Sequence, residues 1–160
     1  MIPINRIFVD MDGVLADFVQ GVQGPKYLNG PLTDNLYDDN KIALSNKGLF
    51  KDLPPMTDMQ DLIDGIKDTG IYWEILTCTG ELNRKKVAQD KTTWIREHVD
   101  PGVVITCTFK GEQKAAYAKP GSVLIDDRPK NINAWIDAGG IGILHKNAAD
   151  TIAQLQDLIN

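Results

Sequence analysis

The chain has 160 residues, of which 42% are hydrophobic and 24% charged, with a formal net charge of -5 and a pI near 4.9. The length suits one domain with its own core, and the composition is ordinary for a globular protein. The acidic balance argues against a nucleic-acid polymer as partner, and no apolar run approaches membrane-spanning length, which argues against a membrane. The strongest basic cluster, Arg84-Lys85-Lys86, reads as a solvated helix face. Cys78 and Cys107 lie in apolar, strand-like runs outside any CxxC or Cys/His metal pattern. They read as small hydrophobes and fit a reducing compartment. The first strand begins by Arg6, so no signal peptide fits before it and the expected location is cytoplasmic.

Short apolar runs alternate with helix-periodic stretches, the signature of an α/β domain with a mainly parallel sheet and helices on both faces. The first strand covers Arg6 to Asp10. Residues 14 to about 50 are irregular, with several Gly, Pro, Asn and Asp, and read as an insertion containing short helices. Thr57 and Gln60 have capping-box spacing before an apolar stripe of Leu62, Ile63 and Ile66, and Gly70 is the stop. A second strand runs from Ile71 into Thr77 or Thr79. A helix follows over roughly Asn83 to His98, with Val87, Trp94 and Ile95 on its buried side. Val103 to Thr108 is a third strand, and Glu112 to Ala118 a short helix stopped by Pro120-Gly121. Val123-Leu124-Ile125 forms a fourth strand ending at Asp126, and Asn131 to Ala138 a helix closed by Gly139-Gly140. Ile141 to Leu144 is the last strand. The final helix starts near Asn147 and carries Ile152, Leu155 and Leu158/Ile159.

Chemistry-bearing residues gather at the ends of these strands, where open α/β sheets bind their ligands. Asp10-Met11-Asp12-Gly13 places two carboxylates one residue apart at the end of an apolar strand. Like charges this close need a cation or a shared proton. A calcium loop is excluded, because the third acidic position and the glycine at its proper place are missing. Ile125-Asp126-Asp127-Arg128 repeats the pattern at the fourth strand. Thr77-Cys78-Thr79-Gly80 offers hydroxyls and backbone N–H groups, and Lys110 or Lys114 offers an ammonium. Each feature alone also fits a turn, a cap or a solvated side chain. Together they supply what phosphoryl transfer needs, and an all-oxygen ligand set suits Mg²⁺.

Asp10-Met11-Asp12-Gly13-Val14 resembles the DxDGV/T first motif of the haloacid dehalogenase (HAD) superfamily. Thr79 or Thr77, Lys114 or Lys110, and Asp126-Asp127 resemble its second, third and fourth motifs, in order over nearly the whole chain. The run from Asp10 to Phe18 together with Leu124-Ile125-Asp126-Asp127-Arg128-Pro129 is similar to the 5'(3')-deoxyribonucleotidase family and its bacterial and phage relatives. The resemblance implies a Rossmann-like HAD fold over residues 1–160, with residues 14–53 as a small cap inserted after the first strand.

It also implies roles. Asp10 is the nucleophile, forming an aspartyl-phosphate, and Asp12 the general acid and base. Mg²⁺ is held by Asp10, by the main-chain carbonyl of Asp12 and by Asp127, with Asp126 in support. Spacing after Gly70 favours Thr77 as the phosphate-binding hydroxyl, whereas the nucleotidase pattern favours Thr79, beside Gly80. Lys114 lies nearer than Lys110 to the usual distance before the acidic pair. Phe18 falls where an aromatic lines the nucleoside pocket, although it also suits a core position under the cap. The family's Phe-Trp pair is absent, with Tyr27, Tyr37 and Phe50 as candidate substitutes. The expected substrate is a small phosphate ester, a deoxynucleoside monophosphate first and a sugar phosphate second. A small cap leaves the cleft open unless a second subunit covers it, which admits a homodimer. A receiver domain also combines Asp, Mg²⁺, Thr and Lys, but it places its acidic pair first and its phosphorylated Asp later, the reverse of the order here.

Overall fold

The computed structural model describes residues 3–160. Five short strands, β1 (Arg6–Val9), β2 (Trp73–Cys78), β3 (Ile105–Thr108), β4 (Ser122–Asp126) and β5 (Ile141–Leu144), form one sheet of order β3-β2-β1-β4-β5. Every pairing is parallel. The chain builds outward from β1 to β3 on one side, then crosses back and builds β4 and β5 on the other. The switch at β1 opens a crevice at the carboxyl ends of β1, β2 and β4.

Strand alternation divides the apolar side chains between two faces. Ile7, Val9, Ile75, Val123 and Ile125 join the larger core, while Phe8, Leu76 and Leu124 face the smaller one. The larger core is covered by α4 (Met59–Asp68), α5 (Arg84–His98) and α7 (Ala148–Ile159), through Leu62, Ile63, Ile66, Val87, Trp94, Ile95 and Leu155. The smaller is covered by α6 (Pro129–Asp137), whose Trp135 meets Phe8 edge-on at 5.2 Å. Helices therefore flank both faces, as expected.

The segment after β1 holds α1 (Phe18–Val22), α2 (Leu36–Asn46) and α3 (Leu49–Asp52). Its two ends run side by side, because Asp17 N donates to Pro54 O and Met56 N to Leu15 O, both at 2.8 Å. The fully buried indole of Trp94 donates to Leu53 O at 2.7 Å and fixes the returning end to α5.

One local expectation needs correction. The capping box at Thr57 and Gln60 does not form: α4 starts at Met59, and the Gln60 amide donates to Asp64 within the helix at 2.8 Å. Asp58, the residue before the helix, turns its carboxylate to Ala148 N at 2.7 Å, so it helps cap the first turn of α7 beside the N-cap Asn147. The short helix near Glu112 is a 3-10 segment over Gly111–Tyr117, in which the Gln113 side chain accepts from Phe109 N and Lys110 N.

Candidate active site

Asp10 leaves β1 with its N–H donated to Ile125 O at 3.0 Å, so the first and fourth strand ends are in register. The Met11 carbonyl then accepts from the N–H groups of Val14, Leu15 and Ala16, a tight loop that brings Asp12 to the same crevice. Gly13 has φ +82°, and a Cβ there would lie 2.1 Å from Asp127 Oδ2. Only glycine lets the Asp10 loop and the Asp127 loop approach this closely.

Lys114 joins the two acidic motifs. Its Nζ lies 2.9 Å from Asp10 Oδ1 and 2.8 Å from Asp126 Oδ2, and its side chain is 1% exposed. Asp126 also accepts from Asn131 Nδ2 and, through Oδ1, from Arg128 N, both at 3.0 Å. Asp127 differs from its neighbour: its Oδ1 is buried without a hydrogen-bond partner, and so is Asp12 Oδ1. Asp10, Asp126 and Asp127 each offer a carboxylate oxygen within 4.8 Å of the others'. Two unpaired buried carboxylate oxygens and an all-oxygen ligand set fit a hard divalent cation.

Burial pushes the Asp10 carboxyl up to about 7; Lys114 pulls it down, and Asp126, Asp12 and Asp127 push it further up. Burial also raises Asp127, aided by the Asp126 charge. Burial alone would lower the Lys114 ammonium, but Asp10 and Asp126 outweigh it and hold that group above the ordinary lysine value. A cation among these carboxylates would offset the burial and the neighbouring charges that raise Asp10.

The crevice opens into a cavity of about 630 Å³, a size that accommodates a small molecule. Thr77, Thr79 and Gly80 all line it. Thr77 is fully buried and its Oγ1 accepts from Lys91, whereas Thr79 Oγ1 donates to Gly80 O at 2.8 Å. Lys110 stands outside the cavity, exposed and 3.8 Å from Glu81. Phe18 meets Tyr37 edge-on at 5.0 Å and stacks with Phe50 at 6.1 Å. All three aromatics line the cavity, while Tyr27 gives its hydroxyl to Asp52.

Three further residues reach the site. Arg128 lines the cavity, Asn131 braces Asp126, and Lys91 projects from α5 to Asp12 at 2.8 Å. Lys91 had a readable signal, since it sits four residues after Val87 and four before Ile95, inside the apolar stripe of its helix. Asn131 had none, because an asparagine near a helix start reads as a cap.

The fold is shared with solved hydrolases. A hydrolase from Pseudomonas syringae superposes with TM-score 0.55 at 14% identity, covering 98% of this chain and 100% of that one. A hydrolase from Streptococcus pneumoniae TIGR4 gives 0.53 at 17% identity over 96% and 98% of the two chains. L-2-haloacid dehalogenase from Xanthobacter autotrophicus gives 0.52 at 10% identity over 96% and 82%. The sheet order and the near full-length superpositions thus show the fold that these hydrolases share. No curated protein matches the chain. The family model described as 5' nucleotidase, deoxy (pyrimidine), cytosolic type C protein matches residues 32–154. The chain belongs to that family and is a phosphoric monoester hydrolase.

Proposed function

We propose that this protein hydrolyses nucleoside monophosphates, deoxyribonucleotides foremost, with Mg²⁺ as cofactor and Asp10 as nucleophile. The observation that carries this reading is the buried Asp10–Lys114–Asp126 network, with the unpaired oxygen of Asp127 beside it and three aromatics lining the same cavity. Asp10, Asp127 and the Asp12 carbonyl would hold the ion, which would neutralise phosphate charge. Asp126 fits the supporting role, since both its oxygens already accept from protein donors.

Asp10 attacks phosphorus, and Asp12 gives a proton to the leaving oxygen and later takes one from water. Lys114 and the threonine at the end of β2 stabilise the phosphoryl oxygens. The buried ion pairs of Lys114 favour it over the exposed Lys110. Thr79 remains the phosphate-binding residue of this reading, beside Gly80 at the cavity wall. Residues 14–53 act as the cap, and Phe18, with Tyr37 and Phe50 in place of the Phe-Trp pair, meets the base. A stacked base gains roughly 1–3 kcal/mol from such a contact. Val19 and Leu82 expose apolar surface at the cavity, which supports a homodimer covering the cleft. Among the described residues no helix is long and apolar enough to cross a membrane, and the cytosolic type of the family supports a cytoplasmic location.

The test is Mg²⁺-dependent phosphate release from a panel of ribo- and deoxyribonucleoside monophosphates and sugar phosphates. Preference for a deoxyribonucleotide is expected, with activity lowered on the order of 10³-fold or more in Asp10→Asn. Release confined to sugar phosphates would reject the substrate class, and a normal rate from Asp10→Asn would reject the mechanism.

A further inference from the structure

Lys91 sits in the middle of α5, yet its side chain is only 2% exposed. A buried ammonium is costly unless every proton finds an acceptor. Here each does: Nζ lies 2.8 Å from Asp12 Oδ2, 3.0 Å from Thr77 Oγ1 and 2.7 Å from Cys78 O. An ammonium has three donors, so the set is complete. The same charge lies 4.9 Å from the centre of the Phe50 ring, on α3. One group therefore ties the loop after β1, the end of β2 and the inserted segment together.

The consequence falls on Asp12. The Lys91 ammonium holds its Oδ2, and the residue lines the cavity. We propose that Lys91 is the positioning residue of the acid–base step, fixing the orientation of the Asp12 carboxyl in the cavity. In the first half-reaction a bond forms between an Asp10 carboxylate oxygen and phosphorus as the ester P–O bond breaks. The electron pair of that bond goes to the leaving oxygen, which takes the proton from Asp12. Asp12 becomes a carboxylate still paired with Lys91. In the second half, Asp12 takes a proton from water as the water oxygen bonds to phosphorus and the bond from phosphorus to Asp10 breaks.

This inference rests on the phosphatase reading, and the leaving group separates the two. An alkyl ester needs the proton from Asp12, whereas 4-nitrophenyl phosphate expels a stable phenolate without it. The value of kcat/KM reports only the steps through departure of the leaving group. With saturating Mg²⁺, Lys91→Met should lower kcat/KM for the best alkyl ester of the panel by about 100-fold. The loss on 4-nitrophenyl phosphate should be roughly tenfold smaller, and Asp12→Asn should show the same asymmetry. Lys91→Arg keeps the charge and bulk but moves the donors, so it should be asymmetric too and decides the matter if the Met variant does not fold. Equal losses on both esters in the folded variants would make Lys91 structural support and overturn the proposal. Wild-type protein that releases phosphate from neither ester would overturn the phosphatase reading, and this proposal with it.

Discussion

Asp126 and Asp127 are neighbours in sequence with opposite surroundings. Asp126 accepts from Lys114, Asn131 and the Arg128 backbone, so both its oxygens are held by protein donors. Asp127 keeps a buried oxygen without a partner and presses on Gly13, so it is the one with an oxygen free for a ligand. Lys114 is the counter-charge that lets this set of carboxylates coexist in the metal-free protein. Its removal leaves buried anions unpaired, and breaking a buried pair costs about 3–5 kcal/mol. Lys114→Met should therefore lower urea-unfolding stability by about that much in metal-free protein. An unchanged midpoint and slope would show that the pair contributes nothing. The same residue scale explains which positions sequence reasoning could find. Distance from the acidic pair favours Lys114 over Lys110, and the two lysines differ in the fold: one is buried between Asp10 and Asp126, the other exposed near Glu81. Lys91 is harder to read, because a lysine in a helix suits a solvated face unless its place in the apolar stripe is weighed.

At the scale of elements, the helices are joined by side chains that sequence patterns assign elsewhere. Asp58 precedes α4 yet caps α7 across 90 positions. Asp58→Ala should cost about 1 kcal/mol, the worth of an ordinary cap, seen as a lower thermal midpoint. His145, just beyond β5, packs beside the same helix and shares a 2.7 Å hydrogen bond with Thr151 on α7. Burial lowers the imidazole below its ordinary value, while the Asp58 and Asp150 charges pull the other way. The unfolded chain then binds a proton at His145 more readily than the folded one. Its contribution to stability is present above the ordinary histidine value of about 6.5 and is lost as pH falls through the lowered folded value. The thermal midpoint should drop between about pH 7 and pH 5, and a His145→Gln variant should show a shallower drop. Identical slopes would remove His145 from the account.

Over the whole molecule, the crevice exists because β1 is central and the chain builds first to one side and then to the other. Three strand ends bring carboxylates and hydroxyls together, and Lys114 of the 3-10 segment adds an ammonium. A cation bound there stabilises the fold by mass action, about 2.7 kcal/mol at a hundredfold excess over Kd. Mg²⁺ should raise the thermal midpoint of the wild-type protein, and Asp127→Asn should lose most of that gain. An equal gain in both would place the ion elsewhere. The amino-acid sequence by itself determined the α/β class, the five strands and the family, because period-2 and period-3.6 patterns and the strand-end motifs are local in the chain. It did not determine the capping of α7 by Asp58, the bracing of Asp126 by Asn131 or the triple contact of Lys91. Those are partnerships between residues far apart in sequence, and only the packing of the strands and helices sets which donor meets which acceptor.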